Sequence, residues 1–227
     1  MGTYELGKYR IVDLTKFIDP DTEKRRCHLF RYNTGGYIPD YHTLVDITTH
    51  LGTHVEGPYH HNNDWPDISQ LPLNLFMGRG IYVNITDCEP NTYINSDVLD
   101  RWVLPRMKEN DVVIIDSPYK LEPFTEKTNT DDDKRLFING ETGEWLLKHK
   151  AKCIGFGEGV SIEKCNEDCA PFHDVCLSHN ITFLEVLKNL EELQQDTFFI
   201  SYAPLLIKGL DSCPVRVYAI EGLADFS

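Results

Sequence analysis

The sequence predicts a single α/β domain over residues 1–227, and three observations lead there. The chain is 227 residues and 26.2 kDa, a length that one large domain fills. Hydrophobic residues make up 41% and charged residues 26%, an ordinary globular mixture that excludes a disordered, collagen-like or disulfide-scaffold chain. Short β-branched and aromatic runs alternate with a few helical segments, the pattern of a mixed sheet with flanking helices.

The elements follow in chain order. Tyr9–Leu14 and Gly80–Ile85 read as strands. Asp111–Ile115 is a continuous apolar run after a turn-like Glu109-Asn110, as in a strand buried on both faces. Cys153–Phe156 is a shorter strand, and Thr197–Tyr202 and Val215–Ile220 are C-terminal strands. Ser96 is placed to cap a helix over Val98–Leu104, and Thr142 one over Gly143–His149 with Trp145, Leu146 and Leu147 inward. Pro171 suits the first turn of a third helix running to His179, with Asn180 just past its end. Lys120–Asp133 is polar and reads as a solvated loop, with a lid or oligomer contact as the alternative.

Lys plus Arg is 22 against 36 Asp plus Glu, a formal charge of −14. That balance argues against nucleic acid and against an anionic membrane as partners, because both are held by Lys and Arg. Met1–Leu6 lacks a basic, then apolar, leader, and no apolar run reaches the ~18–20 residues of a membrane span. A cytoplasmic location is expected. The seven scattered cysteines agree with reduced thiols; only Cys165 and Cys169 are close, and no second pair completes a zinc site around them.

Five of the nine histidines fall between residues 42 and 61. The sharpest stretch is His50-Leu-Gly-Thr-His54-Val-Glu56-Gly-Pro-Tyr-His60-His61. Gly52, the β-branched Thr53 and Val55, and Gly57-Pro58 argue against a helix. In an extended chain, positions 50, 54, 56 and 60 share a face. Gly52 then leaves space between His50 and His54. Gly57-Pro58 bends the chain to bring back His60, which a straight run would hold roughly 33 Å from His50. Imidazole nitrogens and carboxylate oxygens suit Zn²⁺, Mn²⁺ or Fe²⁺. His50, His54 and Glu56 are three ligands, enough for a hydrolytic site with an open position, and His60 remains as a general acid/base. His42 and His61 read as packing or solvated residues. On spacing alone His173 and Glu185 read as structural, with a place in the site as the alternative, and Glu158 and Glu163, which flank a Gly-rich turn, are candidate pocket residues.

The strip H-L-G-T-H-V-E-G-P-Y-H resembles the H-x-G-T-H-x-D-x-P-x-H signature of the cyclase superfamily, whose best-known members are the bacterial kynurenine formamidases (arylformamidases) and isatin hydrolases. Ile11–Thr15, Leu71–Leu73 with Gly80–Ile85, His173 with Glu185, and Pro204–Arg216 resemble further blocks of the family in the same order. The resemblance implies a swivelling β/β/α domain with a mixed or barrel-like central sheet and flanking helices. It implies a homodimer or homotetramer and a centre of one or two zinc or manganese ions. His50 and His54 would bind one ion, Glu56 would bind or bridge, His173 and Glu185 would serve a second, and His60 would move the proton. The implied reaction is hydrolysis of a small-molecule amide, N-formylkynurenine giving kynurenine and formate. Alternatives are a related amide, lactone or cyclic imide, and a non-catalytic metal-binding module. Glu56 stands where the signature has aspartate, which shifts its carboxylate by up to ~1.5 Å. Val112–Pro118 and Gly155–Ser161 also depart from the family's pocket segments.

Overall fold

A computed structural model describes residues 2–226 except Tyr37, Pro39, Pro123 and Phe124. Among the described residues the chain runs β1 (Thr3–Leu6), β2 (Tyr9–Asp13), β3 (Cys27–Asn33), β4 (Tyr41–Ile47), β5 (His54–Glu56), β6 (Met77–Asn84), α1 (Ser96–Trp102), β7 (Val112–Asp116), β8 (Leu136–Phe137), α2 (Gly140–Lys148), β9 (Cys153–Phe156), β10 (Val160–Ser161), α3 (Asn166–Ser178), β11 (Thr182–Glu185), β12 (Thr197–Ser201), β13 (Ser212–Pro214) and β14 (Tyr218–Glu221). Ten of these strands form one mixed sheet in the order β1-β2-β14-β12-β6-β7-β9-β11-β5-β13. The β6-β7-β9-β11 core is parallel, and the flanking pairs are antiparallel. Parallel neighbours need crossovers. The helices α1, α2 and α3 lie in the three connections that return the chain to β7, β9 and β11.

The β7 run is apolar throughout because both of its faces are covered. Val113 and Ile115 face Ile154, Phe156 and the helical Leu146, Phe172 and Leu177. Val112 and Ile114 face a second core with Leu184, Phe198, Ile200 and Tyr202. That second core is enclosed because the sheet curls. β13 and β14 stand seven places apart in the sheet order, about 34 Å if the sheet were flat, yet only Val215–Val217 join them. Such a link spans at most ~14 Å. Val215 donates to Thr53 O and Leu14 donates to Val217 O, which stitches the curled edges together.

Those bonds correct the last predicted strand, which begins at Tyr218 rather than Val215. Val215 and Val217 are apolar because they line the enclosed core, not because they are paired in a ladder. The helix starts also move. Asn95 caps α1, and its side chain accepts from Val98 N–H. Asn139 caps α2, with Thr142 at the third helical position closing a capping box. Trp145 and Leu146 are buried in α2 and Leu147 only partly. α3 begins five residues ahead of Pro171, which lies inside it. An interior proline costs ~3 kcal/mol. Burial of Phe172, His173, Cys176 and Leu177, with Phe172 stacked on Phe183 at 4.9 Å, offsets that cost.

Candidate metal centre

β5 sits between β11 and β13, and its two-residue period decides what meets at the centre. His54 and Glu56 share one face, while Val55 turns into the enclosed core. The ladders place Glu185 opposite His54 and Ser212 opposite Glu56. His50 approaches from the preceding turn, where Gly52 has φ +59°. A Cβ on Gly52 would lie 2.5 Å from Ile18 Cδ1, so this glycine permits a left-handed turn pressed against Ile18 rather than leaving space for a ligand. After Gly57, a 3₁₀ turn over Pro58–His60 reverses the chain, and His60 N–H donates to Gly57 O. The His50 and His60 rings end 4.7 Å apart, as the Gly-Pro bend predicts. α3 supplies His173, 5.7 Å from the His60 ring and edge-on to Phe183.

All six predicted residues therefore meet. His50 Nδ1 is 2.6 Å from Glu56 Oε1 and His54 Nε2 is 3.3 Å from the same oxygen. His60 Nε2 is 3.7 Å from Glu56 Oε2, and His54 Nε2 is 3.6 Å from Glu185 Oε2. Among the described residues, three groups hold ligand atoms within 4.8 Å of one another: His50–His54–Glu56, Glu56–His60–His173 and His50–His60–Asp211. Glu56 belongs to two of them, as a bridging carboxylate would. Glu185 belongs to none and meets the centre through His54.

The electrostatics fit a divalent cation. Glu56 Oε2 and Glu185 Oε1 are buried and have no hydrogen-bond partner. Unpaired buried oxygens are expensive, and bound cations would satisfy them. Burial alone would raise the Glu56 carboxyl, but hydrogen bonds from His50 and His54 and the charge of His60 hold it below the usual carboxylate range. Burial pushes the Glu185 carboxyl well above its ordinary value, and the negative charges of Glu56 and Glu163 add to this. Burial lowers the His173 pKa, favouring the neutral ring that ligates metals. His50 is held above its ordinary value: burial opposes this, but Glu56 and Asp211 outweigh it.

A cavity of about 570 Å³ opens over the centre. Phe156, Ile162 and Leu121 give it an apolar wall, and Arg25, Arg135 and Glu163 give it charge. Glu158 also lines it, paired with Lys188 at 2.5 Å. The polar segment Lys120–Asp133 is thus more than a solvated loop: Leu121 and Thr128 reach the cavity, and Asp133 is buried against Arg135. Pro123 and Phe124 of that segment lie outside the described residues. Of the residues read as bystanders, His42 is exposed, while His61 stacks near His173 at 5.7 Å. Sequence reasoning missed Asp211, whose Oδ2 is 2.8 Å from His50 Nε2. No local spacing could have found it, because 161 residues separate the pair.

The fold and this cluster define a hydrolase with a site for a divalent metal. The chain belongs to the family described as Putative cyclase, whose model matches residues 12–164. It is 26% identical over 182 residues to a kynurenine formamidase of Bordetella petrii, covering 78% of this chain and 79% of that one. A kynurenine formamidase of Erythrobacter litoralis is 26% identical over 72% of this chain and 69% of its own. Among solved structures, an isatin hydrolase bound to the product analogue thioisatinate superposes with a TM-score of 0.75 at 18% identity, covering 96% of this chain and 94% of that one. Isatin hydrolase A from Labrenzia aggregata gives 0.73 at 22% identity, covering 94% of each chain. These structures share the fold. Among the described residues no helix is long and apolar enough to cross a membrane.

Proposed function

We propose that the protein is an arylformamidase-type amide hydrolase that converts N-formylkynurenine and water to kynurenine and formate, using one or two zinc or manganese ions per chain. Glu56 carries the reading. Its buried carboxylate lies among imidazoles with Oε2 lacking a hydrogen-bond partner, an arrangement that a bound cation would satisfy. The substrate class follows from the kynurenine formamidase relatives, and the cavity volume suits a single aromatic amide.

His50, His54 and Glu56 would hold one ion. His173 with Glu56, and Glu185 through its place beside His54, would hold a second. A divalent cation in such a site supplies a Lewis acid for a carbonyl oxygen and a water of lowered pKa. His60 turns Nε2 toward Glu56 while its side chain stays 31% exposed at the cavity. That nitrogen takes a proton from the attacking water and delivers it to the departing aryl amine. The apolar wall of Phe156, Leu121 and Ile162 packs the ring and excludes water. The partner is thus a small molecule, and the reaction belongs in the cytoplasm, where its seven free thiols stay reduced.

We also read the chain as a homodimer or homotetramer. Among the described residues the β3–β4 hairpin pairs only with itself and exposes Leu29, Phe30, Tyr32, Tyr41, Leu44 and Val45. An isolated hairpin is marginal in water, and a second copy of the chain would cover it.

Metal analysis of the purified protein, coupled to turnover of N-formylkynurenine, isatin and simple lactones, tests the reading. Metal-dependent formamide cleavage with His60→Ala reducing kcat ~10²–10⁴-fold at unchanged metal content is expected. Full activity in His60→Ala would remove its role, and preference for isatin would move the protein to cyclic amides. A metal-free chain without metal-dependent turnover would overturn the proposal.

A further inference from the structure

The four imidazoles of the centre each turn one nitrogen outward to an acceptor. His54 Nδ1 is 2.8 Å from Gly52 O, and His173 Nδ1 is 2.8 Å from Cys169 O. Those backbone carbonyls accept an N–H from Nδ1, which leaves Nε2 of each ring as the nitrogen that faces the centre. Among the described residues, no such carbonyl meets His50 or His60. Their outward nitrogens face one shared group instead: Asp211 Oδ2 lies 2.8 Å from His50 Nε2 and 3.5 Å from His60 Nδ1. The inward nitrogens of the same two rings face Glu56, His50 Nδ1 at 2.6 Å and His60 Nε2 at 3.7 Å. Two carboxylates thus bracket two imidazoles.

We infer that Asp211 is a positioning residue that sets ring orientation and tautomer for both His50 and His60, and so couples metal binding to proton transfer through one side chain. The inference rests on the metal-hydrolase reading above.

Three features support it. First, Asp211 is held rigidly. Its carbonyl accepts from Gly57 N–H at 2.9 Å, and the following residue, Ser212, is paired with Glu56 in the β13–β5 ladder. The ladder that positions the inner carboxylate therefore also positions the outer one. Second, the opposite side of His50 is anchored independently, since Arg25 donates to the His50 carbonyl. The ring then has only its torsions left to fix, and Asp211 fixes them. Third, an imidazole ligand whose second nitrogen donates to a carboxylate is held in one tautomer and made more basic. A proton carrier gains the same benefit, because the wrong tautomer presents N–H where a lone pair is needed.

The test is Asp211→Asn, which keeps the shape and removes the charge and one acceptor. Zinc affinity measured by chelator competition should weaken 10–100-fold, the range found when such outer partners are removed. At saturating zinc, kcat should fall 10–100-fold with KM within about threefold of wild type. Nitrogen NMR of the zinc-loaded protein should show His60 moving from the Nδ1–H toward the Nε2–H tautomer, a readout that needs no substrate. Should Asp211→Asn not fold, Asp211→Ser carries the same three readouts.

Wild-type zinc affinity and an unchanged His60 tautomer in the variant would overturn the inference. A change confined to only one of the two histidines would overturn the shared role. Loss of a whole equivalent of zinc at saturation would make Asp211 a ligand, with the same consequence. If the wild-type protein binds zinc but hydrolyses none of the amides, the functional reading fails while zinc affinity and the tautomer still decide the part played by Asp211.

Discussion

Replacing Gly52 by alanine separates two reasons for a glycine between His50 and His54. The backbone there has φ +59°, a conformation costing a side-chain-bearing residue about 1–2 kcal/mol. The new methyl would lie 2.5 Å from Ile18 Cδ1 and 3.0 Å from its Cγ1, and overpacking of this kind costs about 1–3 kcal/mol. Alanine also stiffens the unfolded chain, which returns about 0.4–1 kcal/mol. The net expectation is a destabilisation of about 1–5 kcal/mol, read from urea denaturation midpoints at unchanged slope. Ile18→Val removes the atom in closest conflict. The double variant should therefore be more stable than the sum of the singles by about 1 kcal/mol, while the backbone strain persists. The zinc affinity of Gly52→Ala should also fall, by roughly tenfold, because Gly52 O holds His54 Nδ1. A single variant within about 0.5 kcal/mol of wild type would refute the backbone argument. Strict additivity with Ile18→Val would refute the packing argument.

Two other expectations follow from the fold. Burial alone would raise the Asp13 carboxyl, but Arg216 and Thr15 hold it below its usual range. A depressed folded-state value contributes stability above the unfolded pKa of ~3.9 that is lost as pH falls through the folded value. Because Arg216 is 64% exposed, Arg216→Gln should cost only about 1 kcal/mol at neutral pH, and its gap to wild type should close below about pH 4. An undiminished gap at pH 3 would contradict the assignment. Phe30→Asp on the β3–β4 hairpin should shift the protein toward monomer in light scattering at unchanged secondary structure, and an unaltered mass would remove that surface from the assembly.

Much of the core was legible because strands and helices buried on known faces write their period locally. β9 begins and ends where its apolar run does, and β7 reads as doubly buried because it is. Two of the misplaced helix starts have a common cause. Asn95 and Asn139 each stand one or more residues ahead of a second capping residue, Ser96 or Thr142, and hydrogen bonding chose the earlier one. β5 was read only as part of an extended strip, and β11 and β13 were not read as strands. They are three or four residues long, too short to show a period, and exist because they complete one another's ladders. Pro171 was placed in a first turn by propensity, and burial of its neighbours carried the helix past it.

By itself, the sequence determined the chemistry of the centre and half of its geometry. His50, His54, Glu56 and His60 lie within one strip of eleven residues, so their convergence follows from chain reach and the Gly-Pro bend. Only the tertiary structure decided the rest. It placed Glu185 against His54 through the β11–β5 register and brought His173 in on a packed helix. It also set Asp211 behind two imidazoles through the β13–β5 register. Those contacts join residues more than a hundred positions apart. Local periodicity records which face a residue presents, whereas the partner on that face is settled by which distant strands pair.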